Sequence, residues 1–134
     1  MNNWKRNVVI VVFLIFANFA YGQNRQNELY GGQWEHRPSN EHPTFLFFNE
    51  EGVNVFWQGD SWGVFALHPY TYEDNILMIR NIGSEDRILL HCWMFASGNQ
   101  LVLLLNDGWM LFEKNTNWDS RSFLEERKKF FDNL

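Results

Sequence analysis

Between residues 49 and 108 the chain is cut repeatedly by turns too short to hold a helix: Asn49-Glu-Glu-Gly52, Gly59-Asp60, Asp74-Asn75, Ser97-Gly-Asn99 and Asp107-Gly108. Each contains a residue that tolerates positive φ, and Asp-Gly suits a two-residue type I′ hairpin. Between the cuts lie runs rich in Phe, Val, Ile, Leu and Trp, which read as strands. They are Gln33 to Arg37, Thr44 to Asn49, Val53 to Gln58, Ser61 to Leu67, Tyr70 with Tyr72 through Arg80 around Asp74-Asn75, Arg87 to Phe95, Gln100 to Asn106, and Trp109 to Lys114. Parallel neighbours would need crossovers of about a dozen residues or more, so strands adjacent in the chain should pair antiparallel. The expected fold class is all-β: an antiparallel, eight- to nine-stranded up-and-down barrel over residues 32–115, because closure hides the edges of a long meander.

The two ends of the chain differ from this middle. Residues 1–22 have the layout of a signal peptide: Lys5-Arg6, an apolar run from Val8 to Phe16, and Ala20-Tyr21-Gly22 before the polar Gln23-Asn-Arg-Gln-Asn27. The apolar run is short for a membrane span, so no transmembrane segment is expected once residues 1–22 are removed. Residues 23–31 form an N-terminal segment. At the other end, residues 119–134 place Phe123, Leu124, Phe130, Phe131 and Leu134 at helical spacing, with Ser122 and Glu125 as a capping box and Arg127-Lys128-Lys129 late, as the helix dipole favours. An amphipathic C-terminal α-helix is expected there, packed on the outer wall of the barrel.

Charge and cysteine usage narrow the function classes. The formal net charge is −5 and becomes more negative when Lys5 and Arg6 are lost, which disfavours a nucleic-acid partner. The single cysteine, Cys92, lies in the apolar run Ile88 to Phe95, so an exported form has no intrachain disulfide and packing must hold it together. Aromatic residues make up 18% of the chain, enough bulk for a small core to suffice without disulfide or metal.

An export signal, Gly32-Gln33-Trp34 opening the first strand, a run of hairpins and a closing helix together resemble the lipocalin-like proteins, in particular the small bacterial exported ones. The resemblance implies that Trp34 plugs the closed end of the barrel, that Lys114 lies across it, and that Gly32 allows close approach as the strand begins. It also implies binding of a small apolar molecule. Three features depart from the family pattern: no Thr-Asp-x-x-Tyr signature occupies the Ala96 to Asn99 turn, there is no disulfide, and only the short connection Pro38 to Pro43 stands where many lipocalins carry a long lid.

Candidates for chemistry are few. His36 and His42 flank Glu41 without a zinc-type spacing, so no metal is expected. His91 and Cys92 are successive strand residues and point to opposite faces, so they form no dyad. Glu50-Glu51, Glu73-Asp74 and Glu85-Asp86 fall in turns, where water solvates them. Neither an enzyme nor a cofactor is expected. The aromatics at strand ends, Trp57, Trp62, Tyr70, Tyr72 and Trp109, are the candidate ligand contacts at the open end of the barrel. The expected role is a secreted or periplasmic binding protein for a small hydrophobic ligand. The alternative is a filled barrel that binds an exported protein or another copy of itself through an aromatic face or its C-terminal helix.

Overall fold

Asp74 and Asn75 both adopt positive φ, 53° and 61°, and reverse the chain between strands in the type I′ manner expected of a two-residue hairpin. Gln58 and Gly59 do the same at 47° and 92°. The computed structural model describes residues 3–21 and 26–117, together with Glu125, Lys129 and Asp132. In order, they form helix α1 (Asn3–Tyr21), a 3-10 turn (Gln26–Leu29), and strands β1 (Gln33–His36), β2 (Thr44–Asn49), β3 (Gly52–Trp57), β4 (Asp60–Ser61), β5 (Tyr70–Glu73), β6 (Ile76–Asn81), β7 (Ser84–Ser97), β8 (Gln100–Leu105) and β9 (Gly108–Asn115).

All nine strands belong to one antiparallel sheet of order β4-β3-β2-β1-β9-β8-β7-β6-β5. Neighbours in the chain pair as the tight turns require, and β1 also takes β9, with Trp34 opposite Lys114. No ladder joins β4 to β5 among the described residues. Instead, Val53 in β3 and His68, just before β5, exchange both backbone hydrogen bonds at 2.9 Å.

The run expected as a strand from Ser61 to Leu67 pairs only at Ser61, and the cause is a side chain. Asn54 Nδ2 donates toward the carbonyls of Gly63, Val64 and Ala66 at 3.0–3.1 Å, so those acceptors bind an amide from the neighbouring strand's side chain instead of a ladder. At β7 the strand begins earlier than the apolar pattern suggests, at Ser84, and its first residues are exposed. The pairing of β6 with β7 shifts register on both sides of Arg80, a bulge that absorbs the extra length.

One face of the sheet carries the main core. Trp34, Leu46, Phe48, Met94, Leu101 and Phe112 are at most 1% exposed there. The alternation in β7 is resolved by this core: Cys92 and Met94 face it, while Trp93 is 49% exposed on the other side. On that second face, Val11 and Leu14 of α1 pack against Phe95 and Val102, bordered by Leu104 and Leu111. Thus α1 covers the sheet surface where the C-terminal helix was expected. Of residues 119–134, only Glu125, Lys129 and Asp132 fall among those described, and all three are helical and exposed; the rest of the expected helix lies outside the described residues. No helix among the described residues is long and apolar enough to cross a membrane.

Candidate functional site

Trp34 lies at one end of the sheet. Its ring is fully buried, and Nε1 donates to the carbonyl of Leu29 at 3.0 Å, which satisfies the one polar atom of the indole. Lys114 Nζ sits 5.0 Å from the ring centroid and donates to the carbonyls of Glu28 and Tyr30 at 2.9 and 2.8 Å. Burial pulls the Lys114 ammonium below its ordinary pKa, and Glu28 opposes that pull. A Cβ on Gly32 would lie 2.6 Å from the Asn115 carbonyl oxygen, so only glycine lets β1 start this close to β9. Gly32, Trp34 and Lys114 therefore form one cluster with the 3-10 turn laid over it.

Tyr70 and Tyr72 lie toward that same end. The Tyr70 hydroxyl donates to the Asn49 carbonyl at 3.3 Å and is 3.5 Å from the Tyr30 hydroxyl; burial, then Tyr30, pushes its pKa up. The Tyr72 hydroxyl donates to the Met94 carbonyl at 3.0 Å, and burial, with a smaller push from Glu28, raises it to about 12. Both are held to backbone carbonyls and are separate from the Trp57 group.

At the opposite end of β9 the aromatics do assemble. Trp57 and Trp62 stack with centroids 5.6 Å apart and planes at 25°, and Trp62 meets His68 edge-on at 6.4 Å. His68 is 4% exposed and holds this corner with both ring nitrogens. Nδ1 lies 3.2 Å from the amide of Ile82 and must accept from it, so Nε2 carries the proton and donates to the Trp62 carbonyl at 2.6 Å. With its backbone on Val53, His68 ties β3, the 62–67 segment and the β6–β7 turn together. Reasoning from sequence missed this role; the signal available was a histidine next to Pro69 in a segment of aromatics.

Beside the Trp57 ring opens a cleft of about 620 Å³ that straddles the rim of the sheet. Its lining includes Trp57, Leu90, Cys92, Trp93, Leu105 and Asp107, from β3, β7, β8 and the β8–β9 turn. The Cys92 thiol is buried and pushed up to about 12 by that burial, so it acts as an apolar wall rather than a nucleophile. Trp109 is elsewhere. It faces the outer side of β9 and borders a second cleft of about 700 Å³, with Arg6, Glu35, His36, Arg37 and Glu113. Within that second cleft, burial acts to raise the Glu35 carboxyl, but hydrogen bonds from Arg37, Asn115 and Gln33 outweigh it and hold the group below its usual range.

Of the five aromatic candidates the fold thus joins Trp57 with Trp62, joins neither to Tyr70 or Tyr72 at the Trp34 end, and places Trp109 on the other face. No group of three or more metal-ligating side chains converges among the described residues. Comparison with protein-family models, curated proteins and solved structures finds no match to the chain.

Proposed function

We propose that this chain is an exported, lipocalin-like binding protein, not an enzyme, whose sheet closes into a barrel through the His68–Val53 bridge and which takes a small apolar ligand into the rim cleft. The single observation that carries this reading is the cleft itself: about 620 Å³, walled by Trp57, Leu90 and Leu105, with the Trp57 ring braced from behind by Trp62. That volume lies in the range of small-molecule sites, and an indole already fixed by stacking loses little side-chain freedom when a ligand covers it. Trp34, Lys114 and the 3-10 turn support the same reading from the other end, since a stoppered base leaves one mouth. Removal of residues 1–22 as an export signal fits a cleft built wholly from residues beyond them.

The test is a titration with the apolar fluorophore N-phenyl-1-naphthylamine. Saturable binding at one equivalent is expected, weakened about tenfold in Trp57→Ala, the loss of one aromatic contact and its buried area. Absence of saturable binding, or equal affinity in the variant, would count against the cleft as the site.

A second reading, contact with another exported protein or a second copy, draws on a different observation. Phe95 and Val102 are 4% and 0% exposed, and the partners that pack with them include Val11 and Leu14 of α1, within residues 1–22.

A further inference from the structure

Building on the binding reading above, we infer that the ligand of the rim cleft is an organic cation, an amine or quaternary ammonium carried on an apolar body, and not a fatty acid or a phosphate. The lining decides the sign of the charge. Among the described residues that border the cleft, Asp107 is the only carboxylate, and neither lysine nor arginine is present. Two of the walls are indoles, Trp57 and Trp93. An indole face carries negative charge density and attracts a cation within about 6 Å of its centroid, whereas it offers an anion nothing. Trp93 is 49% exposed, and its ring is held parallel to Phe95 with centroids 6.3 Å apart. It is a rigid aromatic surface left open at the rim.

The two amide side chains of the lining are consistent with the same ligand. Gln58 and Asn106 each offer a carbonyl oxygen that accepts from an ammonium N–H. A carboxylate or phosphate entering here would leave water for a site with no lysine or arginine, one like charge, and the single imidazole of His91. Away from the cleft, Lys114 is committed to the carbonyls over Trp34, and Arg37 to Glu35 at 3.0 Å. A net charge of −5 adds a long-range pull on cations and none on anions.

The experiment compares three probes that share one apolar body: 1-naphthylmethylamine, 1-naphthylmethanol and 1-naphthylacetate, titrated calorimetrically into the full chain at neutral pH and low salt. The amine should bind about tenfold tighter than the alcohol, and the carboxylate most weakly, from one cation–π contact and one partly exposed ion pair. Asp107→Asn should reduce the preference for amine over alcohol several-fold and leave the alcohol affinity unchanged. Asparagine keeps the turn, because Asn-Gly suits a type I′ hairpin as well as Asp-Gly does. Equal binding of amine and alcohol, or tighter binding of the carboxylate, would overturn the cation inference while leaving the cleft as a binding site. If none of the three binds, the binding reading itself is overturned, and this inference with it.

Discussion

Trp34 and Lys114 show how single residues are specified by what surrounds them. An indole at 0% exposure with its N–H satisfied is expensive to remove, about 3 to 5 kcal/mol for truncation to alanine. The ammonium above it donates to two backbone carbonyls and so ties the 3-10 turn to β9. Buried protons at Cys92 and Tyr72, together with that of Tyr70, set the alkaline behaviour. Burial raises Cys92 from 9.0 to about 12, and burial with the Glu28 charge raises Tyr72 from 10.0 to about 12. Both pKa values are raised on folding, so the stability these groups contribute is complete below the unfolded values. It is lost as pH rises from about 9 toward 12, where the unfolded chain releases protons that the folded one retains. Denaturant midpoints should therefore fall between pH 8.5 and about 11 in the parent chain, and fall less steeply in Cys92→Ala and in Tyr72→Phe. Identical slopes in all three proteins would contradict the assignment.

At the scale of elements, the turns and the strands they join were legible in the sequence, but their stagger was not. Asp74-Asn75 and Gly59 take the positive φ that their residue types allow, and the pairings follow from short connections. Nothing local says that Val53, at the start of β3, lies beside His68, at the approach to β5. That stagger sends Tyr70 to the Asn49 turn and away from Trp57. Likewise, Trp109 and Leu111 share one face of β9 and Met110 and Phe112 the other; both faces are apolar, and only packing chose the second for the core. The β3–His68 contact can be tested at Gly52, where a Cβ would lie 2.7 Å from the His68 carbonyl oxygen and 2.9 Å from Leu67 backbone. Gly52→Ala should destabilise the protein by about 1 to 3 kcal/mol, as overpacking does. Amide exchange should accelerate first at Val53 and His68. Exchange that remains slow there while the rest of the chain loosens would place the strain elsewhere.

Across the whole molecule the two apolar faces have different fates. Among the described residues the main core contains no side chain from α1, whereas the second face, around Phe95 and Val102, is packed with Val11 and Leu14. A chain beginning at residue 23 should therefore keep cooperative unfolding but bind 8-anilinonaphthalene-1-sulfonate more strongly than residues 1–134, or self-associate in gel filtration. Loss of the cooperative transition would make α1 part of the core instead. The sequence by itself determined the all-β class and the antiparallel pairing of strands joined by tight turns. These depend on local chemistry: which residues accept positive φ and how short the connections are. Tertiary structure alone decided which apolar face of each strand turned inward, how far β3 slid along the approach to β5, and that Leu90, Cys92, Trp93 and Asp107 came to share a cleft with Trp57. Those outcomes arise from packing between residues distant in the chain, and a period-two pattern with both faces apolar cannot encode them.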